Sequence, residues 1–88
     1  MIDLIIPYDN NPEGLKRTLE SIAPDIFDIH IIDDHSDYSL PIIFHQYSYS
    51  RLNMNRGPGY ARQYGIDHTT NPYIMFIDTG DIFLSKEI

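Results

Sequence analysis

The 88 residues suffice for one small domain with a thin core, and a 42% hydrophobic content is too high for disorder. Thirteen acidic residues against six basic ones leave a net charge of −7, which argues against a nucleic-acid-binding or anionic-membrane surface. No cysteine is present, so disulfides and thiolate metal sites are excluded, and no apolar run approaches the ~20 residues of a membrane span.

The amino terminus carries an acid, Asp3, where a secretory signal would be basic, and a cytoplasmic location is expected. Residues 2–6 form a short apolar run that reads as a first buried strand, closed by Pro7, which cannot donate to a ladder. Tyr8 to Asn11 are loop residues. Asn11 as N-cap and Pro12 as first helical residue then open a helix, in which Leu15, Leu19 and Ile22 recur at helical spacing and which Pro24 ends.

Residues 28–34 read as a second strand that runs into paired acids, Asp33 and Asp34. Adjacent carboxylates repel, so they need a donor or cation to share one edge. They can accept hydrogen bonds from a nucleobase imide or from ribose hydroxyls, or they can belong to an acidic loop capped by Ser36 and Asp37. A short helix is expected over 41–47 with Ile42, Ile43 and Phe44 inward, then a loop around Tyr47 and Tyr49, then a weak edge strand over 51–54.

Asn55 to Gly59 form a strong turn, followed by a helix over 60–68 with Ala61, Tyr64 and Ile66 inward. Gly65 weakens that helix by ~1 kcal/mol relative to Ala, which implies a close-packing reason for it. The glycines and helix-start amides, with Arg62, can meet a phosphate, but the spacing is neither the Rossmann fingerprint nor a P-loop. The four histidines lack metal-ligand spacing. Residues 73–77 are an unbroken apolar run, read as a strand buried on both faces, and it ends in Asp78-Thr79-Gly80-Asp81. Two acids on that tight turn can hold a divalent cation, or Asp78 can cap the strand and Asp81 start a helix. Residues 82–88 form a polar-apolar tail with room for a helical turn.

Strands thus alternate with helices, which gives an α/β fold with a parallel sheet and right-handed crossovers. Taken in order, Ile5-Ile6-Pro7-Tyr8-Asp9, Leu15-x-x-x-Leu19-x-Ser21-Ile22, Ile32-Asp33-Asp34-His35-Ser36, Asn55-x-Gly57-Pro58-Gly59-x-Ala61-Arg62-Gln63-x-Gly65-Ile66 and Phe76-Ile77-Asp78-Thr79-Gly80-Asp81 resemble the amino-terminal half of family-2 glycosyltransferases over about residues 3–84. The resemblance implies a Rossmann-like GT-A half domain over residues 1–88, with a mostly parallel four-stranded sheet in the order 3-2-1-4 and helices on both faces. It implies binding of a nucleotide-diphosphate sugar, a UDP-sugar above all, for inverting transfer. Pro7, Tyr8, Asp9, Asp33, Asp34, Arg62 and Asp78 would contact the nucleotide. Asp78 and Asp81 would hold Mn²⁺ or Mg²⁺. Asp9 and Gln63 each stand where the family has Asn, and Gly80 stands where it has the middle acid of its metal motif. The family's acceptor half, with its catalytic base, follows that motif. The chain runs seven residues past Asp81, so no catalytic residue is assigned and the expectation is a donor half incomplete as an enzyme. Two alternatives compete. One is a non-catalytic interaction domain of the same fold that forms a homo-oligomer through its open sheet edge. The other is a receiver-like phosphoacceptor, against which the acid pair follows the second strand rather than the first.

Overall fold

The computed structural model describes residues 1–23, 25–38, 40–41 and 44–84. Four strands, β1 (Ile2–Tyr8), β2 (Phe27–Asp33), β3 (Ser48–Arg51) and β4 (Tyr73–Phe76), form one all-parallel sheet in the order β3-β2-β1-β4. Two helices accompany them, α1 (Pro12–Glu20) and α2 (Pro58–Asp67).

Alternation along β1 assigns the helices to opposite faces. Leu4, Ile6 and Tyr8 pack with Leu15, Leu19, Ile22, Phe27, Ile31, Leu40 and Phe44 in the main core on the α1 side. Ile5 faces the other way and joins Ile32, Leu52 and Ala61 under α2. That second layer is thin, and α2 reaches it only by approaching closely. A Cβ at Gly65 would lie 2.6, 2.8 and 2.9 Å from the Cγ2, Cδ1 and Cγ1 atoms of Ile5, which is the close-packing reason the sequence implied.

α1 begins as expected: the Asn11 side chain accepts the Gly14 N–H at 3.0 Å and Pro12 occupies the first turn. It ends at Glu20, and Pro24 lies outside the described residues. α2 starts two residues earlier than expected, because Pro58 serves at the first helical position, where its missing N–H costs nothing. Ile66, expected inward, is exposed, while Ala61 and Gly65 are the buried pair.

Three strands also depart from expectation. β1 does not stop at Pro7 but continues to Tyr8 along β2. The even residues of β1 turn their backbone groups towards β2, since the Tyr8 carbonyl accepts the Asp34 N–H at 2.8 Å. The odd residues turn theirs towards β4, since the Ile5 carbonyl accepts the Ile77 N–H at 3.3 Å. The next rung of a parallel ladder would be a Pro7 N–H donating to Ile77, and Pro7 has none. β4 pairs with β1 only as far as Phe76. Proline therefore ends the pairing of its neighbour rather than its own strand. The vacant Pro7 carbonyl accepts the Thr79 hydroxyl at 2.7 Å instead.

β3 occupies 48–51, not 51–54, so Tyr49 is a strand residue rather than part of a loop. Its position at the sheet edge is as expected. An edge strand needs one buried face only, and Tyr49 supplies it on the α1 side, where it packs against the main core. β4, expected to be buried on both faces, is instead an edge strand: Tyr73 is 69% exposed, Ile74 38% and Phe76 42%. An unbroken apolar run fits an edge strand as well as a central one when no helix covers its outer part.

The helix expected over 41–47 falls partly outside the described residues, as do Ile42, Ile43 and residues 85–88 of the tail. Within the described part, the Phe44 N–H bonds the Pro41 carbonyl, the Tyr47 N–H bonds that of Phe44, and Phe44 is buried. Residues 82–84 are not helical, and Phe83 stacks on Phe27 with ring centroids 5.9 Å apart.

At the amino edge of the sheet, the buried Asp3 accepts the Asn71 backbone N–H at 2.8 Å and its side-chain amide at 3.0 Å, and meets His30 Nε2 at 2.6 Å. These contacts fix the loop that leads into β4. Burial pushes the Asp3 carboxyl up, but the Asn71 and His30 hydrogen bonds outweigh it and hold it below its ordinary value.

Candidate functional site at the carboxyl edge

The strand order reverses direction between β1 and β4, and in open α/β sheets ligands bind at such a switch point. A cleft of about 290 Å³ opens there, lined by Pro7, Tyr8, Asp9, Asn11, Asp34, Pro58, Asp78 and Thr79. Five residues singled out from the sequence thus converge on one cavity: Pro7, Tyr8, Asp9, Asp34 and Asp78. A larger hollow of about 380 Å³ lies elsewhere, against Leu19, Phe27, Asp28, His30, Gln46 and Ser48, and contains none of the residues singled out from the sequence as site candidates.

Each acid at this edge is held by a different device. Asp33 is fully buried and does not line the cleft. One of its oxygens accepts the Ser36 N–H at 2.9 Å and the Ser36 hydroxyl at 2.6 Å, and the other accepts the Tyr49 hydroxyl at 2.5 Å. Arg51 stands 3.9 Å away and also bonds the Ser36 carbonyl. Asp34 turns the opposite way. Its two oxygens accept the backbone N–H groups of Arg56 and Gly57, each at 2.8 Å, in the loop that opens α2. The compensating donors that paired acids require are therefore supplied by the protein, and one carboxylate faces the core while its neighbour faces the cleft.

The loops are knitted to one another by side-chain amides. Asn10, with φ of 51°, accepts the Asp37 N–H and donates to Asp9, and its own N–H donates to the Ser36 hydroxyl. Asn55 donates to Asp9 at 3.2 Å and to the Asp34 carbonyl at 3.1 Å. Ser36, Asn10 and Tyr49 were not assigned a site role from sequence. Their signal is an ordinary turn or strand residue, and only the fold reveals the acid each one meets.

Arg62 projects from α2 onto Asp78, Nη2 to Oδ1 at 2.7 Å, and so reaches the cleft through that partner. Asp78 and Asp81 are linked by a tight turn in which the Asp81 N–H bonds the Asp78 carbonyl at 3.0 Å. Gly80, third in that turn, has φ of +97°, the conformation a type II turn asks for at this position. An acid there would be strained, so the departure from the family's metal motif is tied to the shape of the turn. Asp81 is exposed and does not line the cleft. Among the described residues no group of three or more His, Asp or Glu side chains forms a ready-made metal cage. Asp78 and Asp81 are carboxylates, the donor type a hard cation takes alongside phosphates and water; Asp78 Oδ1 is bonded to Arg62 in this structure.

Tyr8 lies in the cleft wall, and burial together with the nearby Asp33 charge raises its phenol above its ordinary value. The same two causes, with the hydrogen bond to Asp33, raise Tyr49 further. Both therefore stay neutral at physiological pH.

Residues 3–88 match the family described as Glycosyl transferase family 2. Among solved structures the chain is similar to a crystal structure of residues 1–349 of TarS from S. aureus, with a TM-score of 0.84 and 23% identity, over 98% of this chain. It is also similar to a second S. aureus TarS structure, with a TM-score of 0.80 and 22% identity, over 92% of this chain. The chain spans 29% and 17% of the lengths of those two structures. No curated protein matches it. No helix among the described residues is long and apolar enough to cross a membrane. The sheet order, the two helical layers and the match over nearly every residue agree that this chain belongs to glycosyl transferase family 2 and has the fold of its GT-A amino-terminal half.

Proposed function

We propose that the domain binds the donor of an inverting glycosyl transfer, a nucleotide-diphosphate sugar with UDP as the nucleotide, and that it supplies the donor half of the enzyme rather than the whole. The observation that carries this reading is the convergence of Pro7, Tyr8, Asp9, Asp34 and Asp78 on one cleft at the β1/β4 switch point. Tyr8 and Pro7 offer an apolar wall to a base. Asp34 and Asp9 offer acceptors to imide N–H and ribose hydroxyl groups. Asp78, beside Arg62, offers a carboxylate to a ribose hydroxyl or to a phosphate-bound cation. Asp9, Asp34 and Asp78 make the cleft acidic, so a bare diphosphate is repelled unless a cation accompanies it. Mn²⁺ or Mg²⁺ bound by Asp78, with Asp81 one turn on, would offset that charge and orient the diphosphate.

Calorimetry with UDP, UDP-glucose and GDP, with and without Mn²⁺, tests the reading. Binding of the uridine ligands, strengthened by Mn²⁺ and weakened in Asp78→Asn, is the expected outcome. Absence of heat at millimolar ligand in both conditions would overturn it.

A second reading has its own observation. Ile74 and Phe76 are exposed, and by the alternation along β4 their backbone groups point away from β1. A non-catalytic domain that self-associates through this edge would show a concentration-dependent mass in sedimentation, and a constant monomer mass counts against it.

A further inference from the structure

One polar side chain is buried where the helical pattern asks for an apolar one. Thr18 lies on the inward stripe of α1 between Leu15, Leu19 and Ile22 and is fully buried. Its hydroxyl accepts the Gly80 N–H at 2.9 Å and donates to the Asp81 carbonyl at 2.7 Å, with the Gly14 carbonyl 3.1 Å away. One turn further along the helix, Ser21 donates to the Thr18 carbonyl and accepts the Phe83 N–H at 3.1 Å. Two hydroxyls spaced three apart, one on α1 and one on the residue that caps it, thus take two amides spaced three apart in the chain after β4. Backbone pairing in the sheet does not hold these amides, since β4 stops pairing at Phe76.

From this ladder we infer that Thr18 is a positioning residue for the Asp78–Asp81 turn, and that it acts on cation and diphosphate binding without touching either. The inference rests on the donor-site reading proposed above. A single hydroxyl satisfies both the amide of the positive-φ glycine and the carbonyl of the residue after it, so it fixes the pitch of the turn that separates the two carboxylates. Thr79 adds a second tether from the opposite side, its hydroxyl bonded to Pro7. Removing the Thr18 hydroxyl deprives a part-buried N–H and C=O of their protein partner, and the turn relaxes until water reaches them. Asp78 stays at the end of β4, but Asp81 moves relative to it.

The test compares the natural chain with Thr18→Val and Thr18→Ser. For each, UDP-glucose affinity is measured by calorimetry with and without Mn²⁺, and hydrogen exchange at the Gly80 amide is followed by NMR in the metal-free protein. Thr18→Val is expected to lose Mn²⁺-assisted affinity on the order of tenfold, the scale of losses on removing a group that orients a metal ligand. Its affinity without Mn²⁺ should stay unchanged, its Gly80 amide should exchange faster, and Thr18→Ser should restore both. Equal Mn²⁺-assisted affinity in Thr18→Val and the natural chain, or an unchanged Gly80 exchange rate, would overturn the inference. So would an equal loss with and without Mn²⁺, which would mark Thr18 as a general stabiliser. If Thr18→Val does not fold, Ser21→Ala decides: a loss confined to the Mn²⁺-assisted affinity upholds the ladder, and no change overturns it. Failure of the natural chain to bind under any condition overturns the donor site itself, which is a distinguishable result.

Discussion

The contact between Gly65 and Ile5 makes a prediction whose sign runs against helix propensity. Alanine in place of glycine within a helix gains about 1 kcal/mol. At position 65 the added methyl would meet three atoms of Ile5 at 2.6–2.9 Å, and Ile5 is fully buried in the central strand. Because Cγ1, Cγ2 and Cδ1 all lie in its path, no single rotamer change relieves the overlap. Overpacking of this kind costs about 1–3 kcal/mol, so the loss outweighs the gain. Gly65→Ala should be destabilised by about 1 kcal/mol, which for a domain of this size lowers Tm by about 4–8 °C. Gly59 provides the internal control. It lies in the first turn of the same helix, where an added methyl would have nothing within 4 Å, and its φ is ordinary. Gly59→Ala should therefore raise stability, by up to about 1 kcal/mol. Urea and thermal denaturation of both variants suffice. A stabilised Gly65→Ala would refute the close approach of α2 to β1, whatever Gly59→Ala does.

Gly80→Asp restores an acid to the middle of the metal motif but places it at φ of +97°, so it should cost about 1–2 kcal/mol and lower Tm by roughly 4–16 °C; an unchanged Tm would show that the turn tolerates a side chain. Asp3 is held below its ordinary pKa, so its contribution is present above the unfolded carboxylate value of about 3.9 and is lost as pH falls through the lower folded value. Urea midpoints from neutral to acidic pH should therefore fall less steeply below about pH 4 in Asp3→Asn than in the natural chain. Tyr49 is shifted upwards, so the stability it adds is complete below about pH 10 and is lost as pH rises through its folded value. Tyr49→Phe should lower stability at pH 7, where Asp33 loses a donor, and should flatten the alkaline fall. Asp34→Asn sets an amide group against two N–H donors, so it should destabilise the chain by about 1–3 kcal/mol. A stability equal to that of the natural chain would show that those two bonds are dispensable.

Much of the architecture is legible in the sequence because its signals are local. Alternating apolar runs and helical stripes, with Asn11-Pro12 as a cap, determine which elements form. Two sheet-edge misreadings share one physical cause. The stretch 73–77 is as apolar as a buried strand, and only the position of β4 outside α2 exposes it. Ser48 to Arg51 is polar enough to read as a loop, and only pairing with β2 makes it a strand. Burial of an edge depends on what neighbours it, and neighbours are not encoded in the stretch itself. In the candidate site, the acids at strand exits are visible as motifs, but their division of labour is not. Nothing in Asp33-Asp34 says that the first faces Ser36 and Tyr49 while the second faces the amides of the loop that opens α2. That outcome follows from the period of two in β2 and from partners 16 and 22 residues distant.

The proline in the central strand has a further consequence. A rung is missing between β1 and β4 just where the cleft begins, and no rearrangement of side chains can supply it. The opening at the sheet's edge is therefore written into the covalent structure of the backbone, as a nitrogen without a hydrogen. On the donor-site reading, a ligand would enter there without separating a pair of bonded strands, and the backbone cannot close the gap by zipping them together. One ring nitrogen thus leaves the backbones of β1 and of the chain after β4 unjoined at the edge where the cleft lies.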